Sequence, residues 1–140
     1  MKMTATEVND FIHSTIPMFK NAGCCVETVT DGCISVRQPY NEGTLRAGGS
    51  ISGPTMMALA DTAMYALILA GPGRQEMAVT SNLNIHFLAR PAPLDLYARA
   101  TWMKRGERQA VCAVDLYSAG DEHNLVAHAT GTYTLASQKP

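Results

Sequence analysis

A single charged side chain, Asp61, lies in the middle of a long stretch that is otherwise uncharged. No other Asp, Glu, Lys, Arg or His occurs between residues 47 and 73. The surrounding run, residues 56–69, is apolar on every side of a helix, so the sequence predicts that it is buried. A buried carboxylate costs on the order of several kcal/mol unless it is paired, and nothing in its own segment can pair with it. Either the fold supplies partners from elsewhere, or Asp61 belongs to an active site that tolerates shifted acidity.

The stretch that carries Asp61 is predicted to form a helix of about 17 residues. Ser52-Gly53-Pro54 opens this helix, because proline suits the first helical position and serine or glycine caps just before it. Gly71-Pro72-Gly73 ends it. Its length of about 25 Å, at 1.5 Å per residue, is slightly short for a membrane span, and the central charge also argues against one.

The rest of the chain is predicted to form one short helix and six strands. The helix covers residues 6–16 and ends before Pro17, and the strands cover residues 24–30, 32–38, 77–88, 94–104, 109–118 and 125–135. Asp31-Gly32 is a hairpin turn signal between the first two strands. The order of a helix, a hairpin, a long apolar helix and a four-strand meander predicts an α+β fold in one domain, residues 1–140. In this fold a curved antiparallel sheet wraps around the long helix, which excludes a doubly wound parallel sheet.

Composition limits the classes of function. The chain is 46% apolar with a net charge of −1, which is typical of a soluble globular protein and provides no field that would attract nucleic acid. There is no signal-peptide pattern at the N-terminus, no CxxC pair and no histidine cluster, so we expect a cytoplasmic protein with reduced, buried thiols and no metal. Five of the eleven basic residues fall between residues 90 and 108, either as solvated strand ends or as a site for an anionic group such as phosphate.

Three segments of the sequence together resemble a known family. They are Leu-Ala-Asp-Thr-Ala at residues 59–63, the predicted strand at 79–91, and the turn and strand at 106–108 and 127–133. In this order and at these separations they resemble the PaaI-type acyl-CoA thioesterases of the hotdog fold, over about residues 24–135. The resemblance implies a hotdog fold, with coenzyme A as part of the substrate and no other cofactor. The chain departs from the family at the helix start, where Ser52-Gly53-Pro54 stands in place of His-Gly-Gly.

Thioester hydrolysis needs a group that activates water or attacks the carbonyl carbon, and a group that stabilises the oxyanion. Asp61 fits the first role, as general base or nucleophile, and the unpaired N–H groups at Gly53 fit the second. Eight residues of helix place them about 12 Å apart, whereas a reacting carbonyl must lie within about 3 Å of both. Two antiparallel copies of the helix solve this problem. We expect the chain itself to offer Asp61 no partner within reach, so that its natural partner is the Gly53 end of a second subunit. The sequence therefore predicts a homodimer with two shared sites, and the resemblance also allows a dimer of dimers.

The remaining candidate site residues follow from the resemblance and from position. Thr80 matches a place where a hydroxyl approaches the water or the acid, although an alternating strand threonine explains it equally well. Ser52 either donates to the thioester carbonyl or only caps the helix. Met57 and Tyr65 are expected to line an acyl pocket or to be core residues. The candidate contacts to the phosphates of coenzyme A are Arg90, Lys104, Arg105 and Arg108.

Two other functions stay open at this point. The departure at Ser52-Gly53-Pro54 favours a non-catalytic acyl-CoA binder in which Asp61 is only structural. A hydratase or dehydratase ranks last, because no suitable histidine follows Asp61 closely. The sequence predicts a small or medium acyl group without deciding between aryl and aliphatic.

Overall fold

The computed structural model describes residues 1–72 and 75–136, and in them a six-stranded antiparallel sheet curves around one long helix. The elements are α1 (Ala5–Thr15), α2 (Pro17–Asn21), β1 (Cys25–Thr30), β2 (Cys33–Gln38), a 3₁₀ turn (Glu42–Thr44), α3 (Gly53–Ala70), β3 (Val79–Phe87), β4 (Leu96–Arg105), β5 (Gln109–Ser118) and β6 (Leu125–Thr134). The predicted α+β class, with a curved antiparallel sheet around a long helix, is confirmed. Gly73, which was predicted to help end the long helix, lies outside the described residues.

The long helix α3 forms the centre of the core. Ser52 caps its N-terminus, Pro54 follows in the first turn, and Gly71 is the C-cap. Ten of its eighteen residues are buried, as its all-round apolar composition predicts. By length and composition it could cross a membrane, but its burial against the sheet accounts for that composition. Asp61 is only half-buried, so the predicted burial of this helix is incomplete at its one carboxylate.

The strand order corrects one prediction. The sheet runs β1-β2-β4-β5-β6-β3, so the last four strands are not a simple meander. Only β4, β5 and β6 follow one another, whereas β3 crosses to the far edge and pairs with β6. The prediction failed because pairing with the nearest strand in sequence is only the commonest arrangement. As a result, β3 is an edge strand.

The N-terminal region packs against the other edge of the sheet. Thr4 and Glu7 form a capping box at the start of α1, and the Asn9 side chain bonds the backbone N–H and C=O of Val26 on β1. Helix α1 ends at Thr15 and Ile16 is extended, in agreement with the predicted end before Pro17. The sequence did not predict the short helix α2, which begins at Pro17, since proline is well tolerated at a first helical position.

The four thiols are free, but the prediction that all are buried is only half right. Cys24 and Cys112 are buried, and burial raises their pKa values to about 11 and about 12. Cys25 and Cys33 are half-buried, because each pairs with a residue on the outer face of the sheet.

Candidate functional site

The carboxylate of Asp61 has two hydrogen-bond partners within its own chain. The Thr80 hydroxyl donates to Oδ1 over 2.8 Å, and the Tyr133 hydroxyl donates to the same oxygen over 2.6 Å. The prediction that the chain offers Asp61 no partner within reach is therefore wrong. The partners are 19 and 72 residues away in sequence, on two strands that the fold places side by side under α3.

Thr80 reaches Asp61 because β3 contains a bulge. Thr80 pairs with Tyr133 and Asn82 pairs with Thr132, which leaves Ser81 as an extra residue. Tyr133 is an inward, buried residue, so its partner Thr80 also faces α3. In a regular strand Ser81 would occupy this place and Thr80 would point outward, since side chains alternate. The bulge therefore points the hydroxyl at the carboxylate. It also leaves Val79 exposed, although regular alternation from Leu83 would place Val79 on the inner face.

Tyr133 is the member of this cluster that sequence reasoning missed. Its ring is buried, and its hydroxyl also lies 3.0 Å from the backbone oxygen of Asp61. Burial, reinforced by the hydrogen bond to Asp61, raises the pKa of this phenol far above its ordinary value. It is therefore a neutral donor at any working pH. The alternation of β6 could have placed it on the inner face, but an inward tyrosine in a strand is ordinarily a core residue.

Two predicted pocket residues flank Asp61 on α3. Met57 is exposed, whereas Tyr65 is half-buried and donates its hydroxyl to the backbone oxygen of Glu76 at 2.9 Å. Burial raises the pKa of Tyr65, with a smaller contribution from Glu76. Tyr65 thus borders the site without bonding the carboxylate.

The N-terminus of α3 offers one unused main-chain donor. The N–H of Thr55 bonds Ser52 Oγ at 3.3 Å, the N–H of Met56 bonds the Ser52 carbonyl at 3.2 Å, and Pro54 has no N–H. Among residues 1–72 and 75–136, nothing accepts from the N–H of Gly53. Ser52 acts as the helix cap, which is one of the two roles predicted for it.

Gly53 and Asp61 lie at opposite ends of β3 within one chain. A side chain added at Gly53 would lie 3.4 Å from the Phe87 ring, and Phe87 ends β3. Asp61 bonds Thr80, near the start of the same strand. The two groups therefore do not share a site within a single copy, in agreement with the estimate from helix length.

The four basic candidates divide into three environments. Arg90 is exposed just beyond the Phe87 end of β3. Lys104 and Arg108 line a cavity of about 520 Å³ at the opposite end of the sheet, together with Gln109 and Thr134. The Arg105 guanidinium instead donates to the Pro72 carbonyl at 3.0 Å and lies 5.3 Å from the Trp102 ring centre, and its burial lowers its pKa. The Arg105 side chain is thus occupied by contacts within its own chain.

Comparisons with known proteins identify the family. The model of the thioesterase superfamily matches residues 48–123, a segment that includes α3 and its carboxylate. A candidate thioesterase from Silicibacter sp. TM1040 is 33% identical, with 96% of this chain and 93% of that chain covered and a TM-score of 0.85. The chain therefore belongs to the thioesterase superfamily. A comparison with curated protein sequences gives no match.

More distant structures share the fold. A thioesterase from Haemophilus influenzae is 18% identical, with 100% of this chain and 95% of that chain covered and a TM-score of 0.88. The PaaI protein of the E. coli phenylacetic acid degradation operon is 20% identical, with 95% and 94% covered and a TM-score of 0.82. The predicted hotdog fold and family resemblance are confirmed. The chain is a thioester hydrolase, which disfavours the non-catalytic binder and the dehydratase.

Proposed function

We propose that the protein hydrolyses acyl-CoA thioesters with Asp61 as the reacting carboxylate and Gly53 of a second copy as the oxyanion donor. The observation that carries this proposal is the arrangement along β3. One end of this edge strand holds Asp61 through Thr80, and the other end touches Gly53 through Phe87.

The free edge of β3 suits a second copy of the chain. Beyond its pairing with β6, the strand has an open row of backbone groups, which is a template for another strand. Several large apolar side chains on or near it are at least 40% exposed: Met57, Met77, Val79, Phe87 and Leu88. An exposed apolar edge of this kind is typical of a strand that pairs with a partner.

Antiparallel pairing of two β3 strands would complete the site. When Asn84 of one copy faces Asn84 of the other, Leu83 faces Ile85, and the bulge at Ser81 brings Thr80 close to Phe87 of that copy. Asp61 then lies near Gly53 of the second copy, and the symmetry of the dimer creates two such sites. The same pairing moves Arg90 of the second copy toward the end of the sheet that carries Lys104 and Arg108.

The chemistry can follow either of two routes. As a general base, Asp61 takes a proton from water while the water oxygen bonds to the thioester carbon. The Gly53 N–H stabilises the oxyanion, the C–S bond then breaks, and the proton passes to the leaving sulfur. As a nucleophile, Asp61 bonds to the carbonyl carbon, the thiolate leaves and takes a proton from solvent, and water hydrolyses the resulting anhydride. Both routes yield a carboxylic acid and a free thiol.

The phosphates of coenzyme A fit the cavity beside the β4–β5 turn. Lys104 and Arg108 supply two cations there, and Gln109 and Thr134 supply polar groups. Thr134 directly follows Tyr133 on β6 and faces the opposite, outer side of the sheet, so this cavity lies at the same end of the sheet as the donors of Asp61. We assign the phosphates to Lys104 and Arg108, with Arg90 of the second copy as a further contact, and not to Arg105.

Thiol release from a panel of short, medium and aryl acyl-CoAs, compared between wild type and Asp61→Asn, tests the proposal. Asparagine keeps an oxygen that accepts from Thr80 and Tyr133, so we expect the fold to be retained. We expect kcat/KM to fall by about 10²–10⁴-fold, because the reacting carboxylate is lost. Equal rates for wild type and Asp61→Asn on every substrate would refute the assignment of Asp61.

A further inference from the structure

Both described hydrogen bonds to the Asp61 carboxylate fall on a single oxygen. Thr80 and Tyr133 donate to Oδ1 from two adjacent strands, and in residues 1–72 and 75–136 no donor reaches Oδ2. The distance from Tyr133 is 2.6 Å, which is typical of a hydroxyl that donates to a charged carboxylate. The two oxygens of this carboxylate therefore have different environments.

We propose that Tyr133 is a positioning residue for thioester hydrolysis: with Thr80 it occupies Oδ1 of Asp61, so that Oδ2 is the oxygen that meets the water or the carbonyl carbon. This inference rests on the proposed role of Asp61. Tyr133 touches neither substrate nor water in this arrangement, and it acts only through the carboxylate.

The location of Tyr133 suits this role. Its ring is 3% exposed and belongs to β6, which pairs on one side with β5 and on the other with β3. A hydroxyl on such a ring has little freedom, so it holds the carboxylate in one rotamer at little entropic cost when substrate binds. Thr80, on an exposed edge strand, provides a less constrained donor.

The other titratable groups around this cluster do not compete for the carboxylate. Cys112 on β5 and Asp61 itself act electrostatically on Tyr133, and burial keeps the Cys112 thiol neutral. Tyr65 on α3 lies 6.4 Å from the Tyr133 ring, measured between centres, and its hydroxyl donates to Glu76. The described donors to Asp61 are thus both neutral hydroxyls.

The Tyr133→Phe variant removes only the hydroxyl. We expect kcat to fall by roughly 10- to 100-fold, because a hydrogen bond to a charged group is lost, while KM changes by less than about threefold. Tyr117→Phe is the matched control, because Tyr117 is stacked on Tyr97 and faces the outer side of the same sheet; it should leave kcat and KM unchanged.

A fluorinated side chain covers the case in which Tyr133→Phe does not fold. Site-specific 3-fluorotyrosine at position 133 keeps the ring and makes the phenol a stronger donor, so kcat should change while KM stays within about threefold of its wild-type value. An unchanged kcat for a folded Tyr133→Phe, or an unchanged kcat for the fluorinated protein, would overturn the positioning role. If Asp61→Asn is inactive in the same assay, the proposed function survives that result; if Asp61→Asn is fully active, the proposed function itself fails.

Discussion

A mixed dimer of two copies, each with a different inactivating substitution, should contain one active site. One copy carries Asp61→Asn and the other carries Gly53→Pro. Proline removes the N–H that we assign to the oxyanion, yet it suits the first position of a helix. If the sites are shared, one site of the mixed dimer lacks both groups, whereas the other combines an intact Asp61 from one copy with an intact Gly53 from the other.

The size of the recovery follows from the geometry. Loss of one oxyanion donor typically lowers kcat by about 10²–10³-fold, so the Gly53→Pro parent should retain about 1% or less of wild-type activity. The Asp61→Asn parent should retain a similarly small fraction of wild-type activity. The mixed dimer has one intact site of two and should therefore show about half of the wild-type rate per dimer, roughly fifty times the rate of either parent.

The assay requires a purified mixed dimer. Co-expression with two different affinity tags, followed by purification on both, isolates it, and thiol release from the best acyl-CoA of the panel gives its rate. A dimer of wild type with Gly53→Ala is the control, because alanine keeps the N–H and its Cβ lies 3.4 Å from the nearest atom of the Phe87 ring. A rate no higher than the mean of the two parents would refute the shared site and place both groups in one chain.

Three further outcomes are expected. Gly131→Ala should lower the free energy of unfolding by about 1–3 kcal/mol in urea denaturation, because the new Cβ would lie 2.6 Å from a buried methionine sulfur of α3. Lys104→Ala and Arg108→Ala should each raise KM for acyl-CoA but not for the matching acyl-pantetheine, which lacks the nucleotide phosphates, and Lys20→Ala on α2 should change neither. Ser52→Ala should cost about 1 kcal/mol through loss of the helix cap and should leave kcat within about threefold of wild type; a loss of kcat like that of Asp61→Asn would instead indicate that Ser52 contacts the thioester.

Much of the fold could be predicted because its signals are local. Residues 109–118 were predicted as a strand with the observed bounds, and the capping and stop signals around α3 gave its ends to within a residue. The position of β3 could not be predicted in this way, because its neighbour β6 is distant in sequence. The bulge at Ser81 was also missed, since nothing in the alternation of residues 77–88 marks an extra residue.

The candidate site was predicted in part. Asp61 and Thr80 were singled out from the sequence, and the structure places them in contact. Tyr133 was missed because a pattern of alternation shows which way a side chain faces but not what its hydroxyl meets. The absence of a partner for Asp61 was inferred from its neighbours in sequence, whereas the actual partners come from pairing between strands.

The strand order has a consequence for how the chain acquires activity during synthesis. Among the strands in residues 1–72 and 75–136, β6 is the last in sequence, yet it lies between β5 and β3 in the sheet. Until residues 125–134 have emerged from the ribosome, β3 has no strand to pair with in its own chain, and Asp61 lacks Tyr133. Contacts between such distant segments form slowly, and a nascent chain exposes an apolar edge in the meantime. We therefore expect a chain truncated before Leu125 to aggregate, and we expect the acid site to be completed only with the final strand.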